Sequence, residues 1–490
     1  MFISPLAIIY ICYVFYILIN SKSIKKLYLN MFVLTCILEI SMLKGYFIII
    51  GGAEISILSI QTLVLMLVSI LVFFKETVRI SKSMLLIIGL LLLFTFSQIL
   101  INIAFPYKGL VLDMDIEGNA WDYYSWGICE LSIKAFNIVY TIKGAIKLGY
   151  LAINAYLLKR YVEFQDIKYV LSKLIRFFKF AALYGIFEFV VKNVFRMPDL
   201  IYNITSFIFG YSDYGYTTPI LRGGMYALQG FSSEPSHFNI CIFSFLVLVV
   251  LYQRINDKNN GTKNTTIIVN KWFVIGVILM LLSGGMSSIW CIAILFIEYY
   301  LVTRVVKNTI MVSNIKKAIK YVVLASLLLL AGYLILLIFN SYYLTRISNM
   351  IGTLISMKNA MIASNGVGDM SSYARFLSIQ TCFSNFLGRP ILGLGAGFTE
   401  CHDSTVSFLV QFGLMGFFIW YRIMLMPGNG NRKYDVLLLI VCIVIAGIPF
   451  GNPGSMYSFV YNILIVELTS FYVGKSNIVE EKMIGEKDNI

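Results

Sequence analysis

His237 and His402 are the only two histidines in 490 residues, and each stands just before a long apolar run. His237 belongs to "GFSSEPSHF" (230–238), with Glu234 and Pro235 beside it and Arg222 fifteen residues upstream in "LRGGMYALQG". His402 belongs to "GLGAGFTECHDSTVSFL" (393–409), flanked by Glu400 and Asp403, with Arg375 and Arg389 upstream. A neutral imidazole near a guanidinium makes a base–electrophile pair: one takes the proton of a hydroxyl, the other steadies an anionic leaving group. Arginine suits a phosphate leaving group because its fork makes paired hydrogen bonds and never loses its charge. Ordinary helix capping accounts for part of the first motif. Ser232 or Ser233 can cap, Glu234 suits the positive end of the dipole, and proline is tolerated in the first turn. Capping does not account for His237 or Arg222. The "GLGAG" glycines read as a tight turn or a close helix contact, since no GK[ST] follows to make a phosphate loop.

The elements that must position these residues are apolar. Hydrophobic residues make up 59% of the chain and charged residues 13%, with a mean hydropathy of +0.82. A soluble domain carries roughly a quarter charged residues, so the composition argues for lipid as solvent. The apolar runs approach the ~20 residues that a hydrocarbon core requires. They place spans near 3–19, 27–43, 55–74, 84–105, 140–158, 178–195, 234–252, 271–287, 288–303, 321–340, 403–421, 435–450 and 455–473. The expectation is an all-α, polytopic transmembrane bundle of about 13 spans forming one integral membrane domain, 1–490. Met1 to Ile19 lacks a basic n-region and a small-residue cleavage site, so it reads as a retained first span. Segments on one side, including the tail 475–490, hold 27 of the 39 Lys and Arg residues; the opposite segments hold nine. The bias puts the N-terminus outside and the tail in the cytoplasm. The net charge of +14 is spent in these loops, and nothing in it makes a nucleic-acid face. Eight scattered cysteines show neither a disulfide framework nor metal spacing.

Three outer segments exceed simple turns: an acidic loop at 106–133, a loop at 196–233 carrying Arg222, and a loop at 341–402 carrying Arg375. The last two are the large ones expected to serve the histidine motifs. In the acidic loop "DMDIEGNAWD" (113–122) alternates carboxylates, but Tyr124 stands where an EF-hand loop needs Glu, so a solvated loop is expected and no metal. Lys143 and Lys147 share a helix face. Either "ELSIKAFNIVYTIKGAIK" is an interfacial helix and the span starts later, or the pair turns into the bundle to hold an anion.

The run from Arg389 to Gly416, with "GRPILGLGAGF", "HDSTVSFL" and "QFGLMG", resembles the bacterial O-antigen polymerase and ligase superfamily. "GFSSEPSHF" looks like the Glu-Pro-Ser helix start of Wzy-type polymerases. "LSGGMSSIW" (282–290) looks like a family hairpin, except that Met286 stands where the family often has arginine. The resemblance implies a cofactor-free, metal-independent inverting glycosyltransferase at the periplasmic face of the bacterial inner membrane. It would polymerise oligosaccharide repeat units carried on undecaprenyl diphosphate, which serve as both donor and acceptor, and a chain-length regulator is a possible partner. By matching positions, His402 would be the base on the acceptor hydroxyl, and Arg222 and Arg375 would hold the donor diphosphate. Glu234, His237, Arg389 and Asp403 would line the substrate. Ligase activity, or a flippase of the same lipid-linked sugars, are the alternatives; the halves show no visible similarity of the kind a transporter repeat would give.

Overall fold

The structure is a computed structural model that describes residues 2–112 except 42–44, 51–52 and 77; 131–209; 221–259 except 223 and 233; parts of 270–295; 370–398; 403–425; and 459–469. The expected spans at 321–340 and 435–450, most of that at 288–303, the acidic stretch 113–130 and the tail lie outside these residues. So do Met286, Glu400 and His402.

The described chain is mainly helical. The helices are α1 (Pro5–Asn20), α2 (Ile24–Ile40), α3 (Ile57–Lys75), α4 (Lys82–Ala104), α5 (Ile138–Arg160), α6 (Phe164–Phe189), α7 (Pro198–Phe209), α8 (Pro235–Asn259), α9 (Lys271–Leu282), α10 (Met370–Gly388), α11 (Ser404–Met424) and α12 (Val460–Thr469). Their starts follow from short polar residues. Ser4, Ser23, Ser56, Ser81, Asn137, Asn270 and Asp403 each accept a first-turn amide, which satisfies donors that a helix end otherwise leaves orphaned.

Four helices, α3, α4, α8 and α11, are long and apolar enough to cross a membrane. The outer faces of α3 and α4 expose Leu63, Leu67, Leu71, Leu92, Leu93 and Phe96. Continuous exposed apolar stripes of this kind call for lipid rather than water. By contrast, α8 is buried on every side from Phe238 to Leu251, the mark of a helix enclosed by others. Phe178 of α6 stacks on Phe245 of α8 at 5.6 Å, and Gly276 of α9 lets Leu246 approach closely. Several polar groups inside the bundle are paired across helices. Gln61 of α3 takes the Tyr10 hydroxyl and gives its amide to Met31 O and Thr35 Oγ1 of α2. The Glu39 carboxylate of α2 accepts the amides of Val460 and Tyr461 at the start of α12.

Several segments between the expected spans carry structure where loops were expected. Residues Tyr46–Ile50 and Ala53–Ser56 form a hairpin (β2, β3), with Phe2–Ile3 (β1) added at its edge. Gly109–Leu112 and Leu131–Lys134 (β4, β5) pair antiparallel and close the base of the acidic loop. The 196–233 segment contains α7 and a short hairpin, Leu221–Arg222 with Met225–Tyr226 (β6, β7). The 341–402 segment contains α10. Lys143 and Lys147 both lie on one unbroken helix that begins at Ile138, and both are exposed. Their exposure speaks against a cationic face turned into the bundle.

Candidate functional site

The residues around the first histidine are mounted on the C-terminal end of α6. There the helix widens into one π-turn, Val190–Val194. Glu188 and Lys192, one turn apart, form a buried ion pair at 2.6 Å. The loop leading into α8 is wrapped over this pair. Lys192 Nζ donates to Gln229 Oε1 (3.0 Å) and Ala227 O (3.3 Å). The Glu188 carboxylate accepts the amides of Gln229 (3.0 Å) and Gly230 (2.7 Å). Asn193 completes the attachment by exchanging two hydrogen bonds with the Tyr226 backbone, at 3.0 and 2.7 Å.

Gly230 must be glycine. Its φ is +58°, and a Cβ would run into the Phe238 ring. Phe231 then stacks on Tyr184 at 4.5 Å, and Ser232 donates to Ser41 O at 3.0 Å, so the loop is pinned to α6 and α2. A cavity of about 20 Å³ lies between this loop, the end of α6 and α7. It has room for a single water. The Ser206 hydroxyl is buried without a hydrogen-bond partner and belongs to its lining.

Glu234 and His237 follow on the first turn of α8. Glu234 is exposed and accepts the Ser236 hydroxyl at 2.9 Å, while His237 is half-buried. Arg222 occupies β6, paired with Met225 across the hairpin; its side chain lies outside what the structure describes.

The second group surrounds a discontinuity in α11. At Gly413 the backbone leaves the helix (φ +63°, ψ −171°). The 390–395 segment docks against the break. Leu394 N and Gly395 N donate to Val410 O and Gln411 O, and Leu414 N and Met415 N donate to Pro390 O and Ile391 O. From α4, the Gln98 amide reaches Leu392 O (2.5 Å) and Gln411 O (2.8 Å). Non-helical backbone at membrane depth survives only where protein satisfies it, and here α4 and the glycine turn do so. The side-chain carbonyls of Gln98 and Asn102, one turn apart on α4, are buried without hydrogen-bond partners. The glycine turn packs on the start of α5, where Cβ atoms at Gly395 and Gly397 would press on Thr141 and Tyr140.

Among the expected site residues here, Asp403 caps α11 through Val406 N at 2.8 Å. The Arg389 guanidinium donates to the carbonyls of Ile101 and Phe105 at the end of α4. Arg375 lies on α10 with its side chain outside the described residues, and His402 falls between the placed residues Phe398 and Asp403. Glu234, His237 and the Arg222 hairpin thus share one mount built from α6, α7 and α8. Asp403 and Arg389 share another built from α4, α5, α10 and α11.

Compared with known proteins, the chain matches no family model, no curated protein and no solved structure.

Sequence reasoning passed over the Glu188–Lys192 pair and the Gln98–Asn102 pair. Both carried a legible signal: polar residues at i, i+4 spacing inside apolar runs, which membrane helices retain for a reason.

Proposed function

We propose that this chain is a polytopic membrane glycosyltransferase of the O-antigen polymerase type, with about 13 spans and its N-terminus outside. It joins oligosaccharide repeat units carried on undecaprenyl diphosphate at the periplasmic face of the bacterial inner membrane. The acceptor hydroxyl attacks the anomeric carbon of the donor sugar as the bond to the lipid diphosphate breaks. His402 takes the hydroxyl proton, and Arg222 and Arg375 hold the departing diphosphate. Glu234 and His237 line the sugar-binding wall, with Arg389 and Asp403 framing the opposite loop. The observation that carries this reading is the mounting of the Arg222 hairpin. A loop bearing a cation is fastened to the end of α6 and leads into a helix start with a carboxylate and an imidazole. Preorganised charge is what a transfer to or from a diphosphate needs.

A second reading, a carrier of the same lipid-linked sugars, is favoured by the break in α11, because discontinuous spans recur in transporters. Complementation of a strain deleted for the gene separates the two. For a polymerase, the deletion reduces the lipopolysaccharide ladder to core plus one repeat, and Arg222→Ala, Arg375→Ala or His402→Ala fails to restore it at normal protein level. For a carrier, the deletion abolishes all periplasmic repeats. Core without sugar while lipid-linked polymer accumulates identifies a ligase. A full ladder from both Arg375→Ala and His402→Ala sinks the polymerase assignment.

A further inference from the structure

We infer that Glu188, Lys192 and Asn193 are positioning residues that fix the Arg222 hairpin at the end of α6. This rests on the role proposed above for Arg222 and adds residues that the sequence motifs do not include.

The argument starts from the backbone. Tyr226 ends β7 and residues 227–230 run in irregular conformation at the end of a bundle helix, so their amides and carbonyls must find partners there. The side chains of α6 supply them: Glu188 takes two consecutive amides, Lys192 takes a carbonyl and a side-chain amide oxygen, and Asn193 takes both backbone groups of Tyr226. Tyr226 pairs with Leu221 across the hairpin, so the hold on Tyr226 is transmitted directly to the strand that ends in Arg222.

Lys192 and Asn193 both lie in the π-turn Val190–Val194, and both bind the 226–229 segment. Such turns are concentrated at functional sites. Bulk stability is a poor explanation for the pair. Buried ion pairs replaced by apolar residues of similar size often cost nothing, because the desolvation penalty disappears with them. What an apolar replacement cannot do is hold the amides of Gln229 and Gly230. The pair's particular contribution is the geometry of the loop.

The test is a double-mutant cycle in membranes matched for folded protein, using purified lipid-linked repeat unit and reading the rate of polymer formation. Arg222→Lys keeps the charge and loses the fork, leaving measurable activity. Lys192→Met is expected to lower kcat/KM by about 10²-fold, the loss that a displacement near 1 Å produces. In the double variant the two losses should not multiply, because each acts through the same guanidinium. Glu188→Gln, which keeps the shape, takes the place of Lys192→Met if that protein does not fold. Unchanged activity in these variants, or losses that multiply, overturns the inference alone. Full activity in both Arg222→Lys and Arg222→Ala overturns the reading beneath it.

Discussion

Gln98 donates its side-chain amide to the backbone carbonyl of Gln411 across 2.8 Å, and so ties the middle of α4 to the break in α11. The same nitrogen reaches Leu392 O, so one side chain serves both strands of the crossing. Gln98→Leu removes the donor and deprives the partly buried Leu392 carbonyl of this partner, at roughly 1–3 kcal/mol, while Gln411 O keeps the Gly395 amide. A marked fall in thermal midpoint, read by gel filtration of heated detergent samples, is the expected result. Gln98→Glu should fall at least as far, since it brings a carboxylate towards two carbonyl oxygens.

Gly413 and Gly89 give a matched pair of opposite sign. Helix propensity alone says that alanine stabilises any glycine inside a helix by about 1 kcal/mol. At Gly89 a Cβ meets nothing within 4 Å, so Gly89→Ala should be neutral or mildly stabilising. At Gly413, φ is +63° and a Cβ would strike the Ile391 backbone, so Gly413→Ala should abolish folded protein. Comparing the yields of monodisperse protein decides the matter.

Arg389 faces the carbonyl end of α4 and donates to Ile101 O and Phe105 O. Arg389→Ala should therefore reduce folded protein by weakening a helix terminus, with polymer formed per folded molecule close to that of the parent. A drop in specific activity at full folded yield would instead return Arg389 to the substrate.

Lys25 opens α2 and contacts Asp166 at 2.7 Å and Glu163 at 3.5 Å. Burial lowers the pKa of its ammonium, but the hydrogen bonds and negative charge of Asp166 and Glu163 outweigh that and hold it above the ordinary value of 10.5. A cation with a raised folded pKa contributes its full stabilisation below its unfolded pKa and loses it as pH climbs through the folded one. The gap in thermal midpoint between parent and Lys25→Met should thus be constant from neutral pH to about pH 10 and close above that. Its size is small, about 0.5 kcal/mol, because the lysine remains partly solvated. A gap that widens in alkali would refute the assignment.

How much of this was legible differs from element to element. The lipid-facing helices α3 and α4 were plain, because a long apolar run has no other solution in a bilayer. The start of α8 was plain as well, with serine, glutamate and proline in the order a helix entrance prefers. The run "YFIIIGGAEIS" reads as a connection when only membrane spans are sought, although its β-branched residues around paired glycines describe the β2–β3 hairpin. The break at Gly413 was hidden for a different reason. "QFGLMG" fits a closely packed helix as well as an interrupted one, and only the docking of a segment twenty residues upstream decides between them. Glu188 and Lys192 are legible as polar residues one turn apart in an apolar run, but their backbone partners lie 35 to 42 residues ahead, which no local pattern announces.

The enclosure of α8 has a consequence for how the protein is made. The two spans with the strongest preference for lipid, α3 and α4, keep only about a third of their apolar windows buried, whereas α8 and α11 are less apolar and far more enclosed. A nascent α8 leaving the insertion machinery finds little reward in hydrocarbon and much in its neighbours α2, α6 and α9. Two of those neighbours precede it in the chain and one follows. The enclosure of α8 is thus complete only once helices translated after it, α9 and α12, are in place beside α2 and α6.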